Sequence, residues 1–307
     1  MELRQLRYFI AVAEESNFTR AAERLRISQP GISAQIRQLE HDLGATLIDR
    51  SGRTASLTSA GEAVLSHARA ALAAAEAARH AVAEVNGLLR GRLTVGMVTA
   101  CTVTPLFDAL ASFHRAHPGV EITLAEHNSD ELIEQVRGGV ADLALIGTAD
   151  EPPQGLEAMP IISERLVAAV PFGHPLAESA RVTLDHISAY PIVSLPEGTG
   201  IRAVFDQGCA AQGIRPNIAL QASAPSTVAN LALRGLGVAV LSESMAAHYD
   251  GLETLVIDDI ETLAVLSLVY NSGKSAALRE LLAHCRHSFL TAPADRLVSV
   301  TAGLATG

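Results

Sequence analysis

Between residues 3 and 61 the apolar positions recur first with a helical period and then in short alternating runs. Leu3, Leu6, Phe9, Ile10 and Ala13 share one face of a helix over 3–15. Asn17 can cap a second helix whose apolar face is Ala21, Ala22 and Leu25. Arg26 and Ile27 form a turn. Ser28 caps a third helix, and Pro30 sits in its first turn, where a missing N–H costs nothing. Ile32, Ile36, Leu39 and Leu43 recur at spacings of 4, 3 and 4, which makes them the buried stripe and leaves Ser33, Ala34 and Arg37 pointing outward. Gly44 ends this helix, and Thr46 to Asp49 and Thr54 to Leu57 read as two short strands joined through Arg50-Ser51-Gly52-Arg53.

Leu57, Gly61, Val64, Ala68, Ala71, Ala75, Ala78, Val82, Val85 and Leu89 continue with alternating spacings of 4 and 3, a heptad seam of mostly small residues along a helix from Thr58 to about Leu89. Packing on its own domain would use one short part of such a seam; a stripe this long predicts a closely packed helix pair. Gly87 to Gly91 marks a boundary, after which the period alternates between 2 and 3.6. Strands are expected at Arg92–Val98, Glu121–His127, Asp142–Ile146, Leu166–Val170, Ile192–Leu195, Ile218–Ala222, Val238–Leu241 and Leu263–Tyr270. Helices are expected at Thr102–His117, Ser129–Gly138, Gly200–Gln212, Ser226–Arg234 and Ser275–Leu290, with a tail poor in signals from Thr291. This order predicts mostly parallel sheets covered on both faces, in two lobes with crossings near Ile161–Ser163 and Leu263–Leu266.

The short helix, tight turn and longer helix with a small-polar-plus-Arg outer face form the pattern of a DNA-reading helix-turn-helix, although periodicity alone would equally allow an ordinary helical hairpin. Charge distribution bears on this. The 307 residues carry a formal charge of −10, but residues 1–60 hold eight Arg against seven acidic residues, and residues 90–307 hold the surplus acid. Nearly all the cations are Arg, Lys274 being the single lysine. A lone head of about +1 binds phosphates weakly, which favours several copies on one DNA site. Arginines at the ends of the wing turn, Arg50 and Arg53, could reach phosphates or a narrow minor groove, or simply be solvated.

Several classes are disfavoured. No apolar run reaches the roughly 18 residues of a membrane span, and no secretory leader opens the chain, so a cytoplasmic protein is expected. Cys101, Cys209 and Cys285 are far apart, which suggests neither a zinc site nor a disulfide framework. His114 and His117 lie at i, i+3 without a third ligand nearby. There is no Gly-x-Ser-x-Gly, no phosphate loop after Thr199-Gly200-Ile201-Arg202, and no dinucleotide fingerprint at Gly235-Leu236-Gly237. An enzyme, or an α/β solute-binding module that merely carries a helical N-terminus, is the alternative reading, and neither a catalytic motif nor an export signal supports it.

The run Leu6-Arg7-Tyr8-Phe9, Phe18-Thr19-Arg20-Ala21-Ala22, Ser28-Gln29-Pro30-Gly31-Ile32-Ser33, Ile36-Arg37-Gln38-Leu39-Glu40, Leu43-Gly44, Leu47, Arg50 and Leu57-Thr58-Ser59-Ala60-Gly61 resembles the winged-helix N-terminus of LysR-type transcriptional regulators. Gly91-Arg92-Leu93-Thr94-Val95-Gly96, Ala141-Asp142-Leu143-Ala144-Leu145 and Leu231 to Leu241 extend the resemblance over nearly the whole chain. Two positions depart from the pattern: Ile48 stands where the family usually has Phe, and Ala34 where many members carry a longer polar side chain. The resemblance implies an α/β chain in three parts. A winged helix-turn-helix occupies 1–58, a linker and dimerisation helix 59–89, and a two-lobed, periplasmic-binding-protein-like (type 2) effector domain 90–307, with lobe 1 at about 91–161 and 266–292 and lobe 2 at about 162–265. It implies DNA contacts from Thr19, Ser28, Gln29, Pro30, Ser33, Ala34, Arg37, Arg50 and Arg53, and helix pairing through Val64, Ala68, Ala71, Ala75, Ala78 and Val82. The implied partners are double-stranded promoter DNA, a small-molecule effector, further copies of the chain as homodimer or homotetramer, and RNA polymerase, with no membrane, no metal and no cofactor.

The cleft between two such lobes is the default ligand site. Helix N-termini opening onto it would suit a carboxylate or another anion. Thr99-Ala100-Cys101-Thr102, Thr148, Thr199-Gly200 with Arg202, and Ser226 are the candidate effector residues; singly, each Ser or Thr could be only a helix cap. Arg202 could pair an acidic ligand or bond Glu197 locally. Cys101, beside the expected cleft at a helix start, could be a redox sensor or a small lining residue, so a regulator sensing an oxidant or a protein partner is a variant of the same reading.

Overall fold

The computed structural model describes residues 1–52, 54–85, 89–100, 103–149, 152–247, 249–273 and 275–292, with the side chains at 73, 76, 77 and 79–85 left aside. The chain forms two units, one built mainly on Met1–Leu88 and the other on Leu89–Val136 and the residues from Ala141.

The first unit opens with α1 (Leu3–Glu15), α2 (Phe18–Arg24) and α3 (Gln29–Leu43), followed by β1 (Ile48–Asp49), β2 (Ser56–Leu57) and the long α4 (Ser59–Val85). The caps form as the sequence dictates. Asn17 Oδ1 accepts from the Thr19 and Arg20 N–H groups at 2.8 and 3.1 Å, and Ser28 Oγ accepts from Gly31 N–H at 3.3 Å. Phe9, Val12, Ala21, Ile32, Ile36 and Leu39 are fully buried in one core. Two expected core positions lie outside it. Leu3 is 45% exposed and Leu43 40%, because the first turn of α1 and the last turn of α3, closed by Gly44 at φ +68°, run past the core. The antiparallel β1–β2 pair matches Ile48 with Leu57. Thr58 Oγ1 accepts from Gly61 N–H at 3.0 Å and donates to the Thr46 carbonyl at 2.7 Å, which starts α4 at the wing. A Cβ on Gly61 would lie 2.2 Å from the Leu47 carbonyl oxygen, so only glycine lets α4 approach this closely.

The second unit contains two sheets. Into the first go β3 (Gly91–Val98), β4 (Val120–His127), β5 (Leu143–Ala149) and β6 (Glu157–Glu164), with α5 (Thr104–Ala116) and α6 (Ser129–Arg137) between them. The chain then builds β7 (Leu166–Pro171), β8 (Arg181–Val182), α7 (Leu184–Ser188), β9 (Ile192–Ser194), α8 (Gly200–Ala211), β10 (Ile218–Gln221), α9 (Pro225–Leu233), β11 (Val238–Ser242), α10 (Glu243–Ala246) and β12 (Leu252–Ile257). It returns as β13 (Ala264–Tyr270) and ends in α11 (Ala276–Thr291). The first sheet has the order β4-β3-β5-β13-β6 and the second β10-β9-β11-β7-β12-β8. Both are mixed: β13 runs antiparallel to β5 and β6, and β7 antiparallel to β11 and β12.

Period-2 alternation explains the double covering of the first sheet. Leu143, Leu145, Leu268 and Tyr270 face α5 and α11 with Phe113 and Leu281, while Ala144, Ile146 and Val269 face α6 with Leu132 and Val136. The second sheet surrounds Phe205, Val228, Val193 and Val240. Strand β6 escapes the sequence pattern because Pro160 interrupts it. It is an edge strand, where proline is tolerated, and its pairing with β13 shifts register between Leu266 and Ser267, passing over Ile161. The lobes therefore join at Arg165, two residues beyond the expected Ile161–Ser163, and between Ile257 and Ala264, where the connection reaches Leu263 at the start of the second expected crossing. No helix among the described residues is long and apolar enough to cross a membrane.

Candidate DNA-reading surface and effector cleft

Helix α3 separates its two faces cleanly. Ile32, Ile36 and Leu39 point into the core, and Ser28, Gln29, Pro30, Ala34 and Arg37 are exposed, with Ser33 half-buried beside them and Thr19 exposed on α2. Arg50, expected at the end of the wing turn to reach phosphates or a narrow minor groove or to be solvated, is engaged within the protein. Its Nη2 donates to Glu40 Oε2 at 2.9 Å, its Nη1 lies 3.4 Å from Ser33 Oγ, and its guanidinium stands 5.1 Å from the Phe18 ring centroid. Glu40 is the centre of this arrangement, since its Oε1 also accepts from Leu47 N–H at 2.9 Å and Ile48 N–H at 3.1 Å. One carboxylate thus ties α3 to β1. Sequence reading missed it, because the backbone partners lie seven and eight residues away and no pattern marks them. Arg53 lies outside the described residues.

The seam on α4, expected to pair with a second helix along its whole length, is divided. Ala68 is buried in the core of its own unit, with Val64 and Ala71 packed against that core. The first half of the stripe is therefore used within the chain. Ala75 is half-buried, Ala78 is exposed, and the Val82 side chain lies outside the described residues.

In the second unit a cleft of about 390 Å³ opens between the two sheets. Thr99, Thr199 and Gly200 line it, as expected. Thr199 is committed locally, its Oγ1 donating to the Pro196 carbonyl at 2.8 Å. Ala100, Thr148, Arg202 and Ser226 do not line the cleft, although Gly147 and Pro225 beside two of them do. Thr148 Oγ1 is buried without a hydrogen-bond partner among the described residues. Arg202 is turned inward: its side chain is 8% exposed, Nε donates to both Asp206 carboxylate oxygens at 2.8 Å, Nη1 lies 3.4 Å from the Leu195 carbonyl, and Nη2 lies 3.5 Å from Glu197. Of its two open roles, the local one is realised. Cys101 and Thr102 lie outside the described residues.

The lobes meet along a glycine-bearing loop. The Gly198 carbonyl accepts from the Ser129 and Asp130 N–H groups at 2.9 and 3.4 Å, and Asn128 Oδ1 accepts from Glu131 N–H at 2.8 Å, so the first turn of α6 has its donors filled from within the protein. Gly198 has φ +81°, a left-handed conformation that favours glycine. Sequence reading missed the residues that make the other wall: Glu126, His127, Asn128, Ser129, Glu131 and Glu164. The signal for the first group was present, since His127-Asn128-Ser129 joins a strand end to a helix start as the chosen loops do. Glu164 carried no such signal; it reaches the cleft through the overlooked β6. Cys209 and Cys285 are buried away from this site, and burial pushes their thiols up to about 11 and about 12.

A winged helix-turn-helix followed by a two-lobed domain with a cleft defines a ligand-responsive DNA-binding regulator. Residues 3–62 match the family model for "Bacterial regulatory helix-turn-helix protein, lysR family", and residues 86–290 match "LysR substrate binding domain". The chain belongs to the LysR family of DNA-binding transcriptional regulators, with an N-terminal DNA-binding part and a C-terminal effector-binding domain. It is 33% identical over 310 residues to the Hca operon transcriptional activator HcaR of Escherichia coli, covering 98% of this chain and 100% of that protein. Among solved structures it resembles full-length CbnR complexed with its target DNA, at 28% identity and a TM-score of 0.56 over 94% of this chain and 100% of that one. Its fold also matches full-length OxyR from Pseudomonas aeruginosa, with a TM-score of 0.70 over 97% and 98% of the two chains at 23% identity.

Proposed function

We propose that copies of this chain, as a dimer or a dimer of dimers, place paired α3 helices in successive major grooves of a roughly palindromic promoter site. A small molecule in the cleft then shifts the population between two assemblies that differ in the spacing of those helices. The observation that carries the DNA half is the two-faced α3, fully buried through Ile32, Ile36 and Leu39 and exposed through Gln29, Pro30, Ala34 and Arg37. Gln29 and Arg37 are the side chains suited to base edges or phosphates, and Ala34 suits a thymine methyl. The exposed Ala78 and half-buried Ala75 support pairing through the second half of α4. The cytoplasm is the compartment of this work, and RNA polymerase is the partner through which an activating output would run.

The test is fluorescence anisotropy of the full chain on the DNA upstream of its own gene at low salt. Saturable binding that resists random-sequence competitor, and that Ala34→Asp abolishes without a change in melting temperature, supports the reading. Equal affinity for random DNA refutes it.

A further inference from the structure

The charge of the cleft wall points to the chemistry of its ligand. Four carboxylates line the cleft, Glu126, Glu131, Glu164 and Glu197, and no Lys or Arg side chain does among the described residues. Among the described residues the one basic side chain in the wall is His127, whose Nδ1 lies 2.9 Å from Glu131 Oε2. Arg202 stands behind the wall, bound mainly to Asp206. Glu164 is half-buried and held only by uncharged donors, with Ser244 Oγ donating at 2.7 Å and Ser244 N–H at 3.4 Å. The Glu126 carboxylate has no hydrogen bond or ion pair within the described residues, its backbone being paired with β3.

Val98, Ile162, Leu195, Ile201, Met245 and Leu266 give the wall an apolar part, beside the hydroxyl-bearing Thr99, Ser223, Ser242 and Ser244. Glu197 has Arg202 at 3.5 Å and Glu131 has His127 at 2.9 Å, so an anion entering this space would meet the like charge of the exposed Glu126 and the half-buried Glu164, neither with a cationic partner among the described residues. Of the helix starts on the cleft, that of α6 already donates to Gly198 and Asn128, whereas those of α8 and α9 carry no side-chain cap. A cation with an apolar body satisfies both features, giving Glu126 and Glu164 the counter-charge they lack and covering the aliphatic wall.

We propose that the effector class of this cleft is an organic ammonium compound, an alkyl or aryl amine protonated at neutral pH, rather than a carboxylate. This rests on the reading of the cleft as the effector site. Thermal shifts of the full chain, at fixed ionic strength, compare benzylamine and n-hexylamine with benzoate and hexanoate. The expected result is a saturable rise in Tm with the amines only. Glu126→Gln and Glu164→Gln each weaken amine binding about tenfold, the scale of one ion pair in a partly solvated cleft. Glu126→Gln keeps the test independent of folding, since the Glu126 side chain is exposed and only its backbone is paired, in the β3–β4 ladder. Larger shifts with the acids, lost in Ile201→Trp, overturn the ammonium assignment and leave the cleft as the effector site. Amine shifts unchanged in both Gln variants, or no shift with any of the four compounds, also overturn it. The effector reading is judged separately, by whether Ile201→Trp alters promoter output in cells.

Discussion

Gly200 and Gly147 approach each other across the cleft so closely that a Cβ on Gly200 would lie 2.4 Å from the Gly147 carbonyl carbon and 2.6 Å from the Thr148 nitrogen. Both neighbours are backbone, so no side chain can swing aside. Gly200→Ala is expected to cost about 1–3 kcal/mol by overpacking. For a domain of this size each kcal/mol lowers Tm by about 2–4 °C. The same substitution moves the start of α8 away from the end of β5 and widens the cleft. Calorimetry and small-angle scattering of residues 89–292 check this; an unchanged Tm would mean the two backbones are not in contact in solution.

Glu40 makes a second prediction, in the DNA-binding unit. Glu40→Ala leaves the Leu47 and Ile48 N–H groups without their acceptor and Arg50 without its partner, at about 1–3 kcal/mol for each donor that water cannot reach. Glu40→Gln keeps the Oε1 acceptor and loses only the charge on Arg50, so its cost is smaller. Denaturant melts of the two variants should rank wild type, Gln, then Ala. Equal stability of all three would remove the tie between α3 and β1.

Arg37 is exposed on α3, and Arg50 is tied to Glu40. If Arg37 meets a phosphate, Arg37→Ala weakens binding similarly on all sequences and reduces the slope of log K against log salt by about 1 per head. If it reads a base, discrimination at one position falls instead, by about 1–3 kcal/mol. Anisotropy titrations over a salt series separate the two.

The thiols give a prediction with a definite sign. Burial holds Cys209 and Cys285 protonated in the folded state up to about 11 and about 12, whereas exposed thiols in the unfolded chain ionise near 9. Above that pH the unfolded state binds fewer protons than the native one, so stability falls as pH rises. The contribution is therefore intact below pH 9 and is lost between pH 9 and about 11–12. At neutral pH both thiols should react with a thiol reagent only at the rate of unfolding, and brisk labelling of either would contradict its burial.

How much of this was legible in the sequence varies with the range of the interaction. Local rules sufficed where a residue answers to its own helix or strand, as with Asn17 and Ser28 as caps and Ile32, Ile36 and Leu39 as a stripe. The stripe misled at Leu43, because periodicity does not show where the core ends. The inward turn of Arg202 was half readable, since Asp206 lies four residues on along the same helix face. Nothing local announced that Glu126 and Glu164 would share a wall. The sheet order brings β4 and β6 to one cleft, and Pro160 had concealed β6 altogether. The heptad seam was real as a pattern, but its partner in the first half turned out to be the chain's own core at Ala68.

The central claim, that this chain is a DNA-reading regulator whose α3 makes the contact, is tested most directly by footprinting the full chain on its own upstream DNA. The expected result is protection in major-groove segments one or more helical turns apart, weakened in Arg37→Ala and lost in Ala34→Asp while both variants keep the wild-type melting temperature. Protection unchanged in both variants, or none over an upstream region that the folded protein is free to bind, would contradict it.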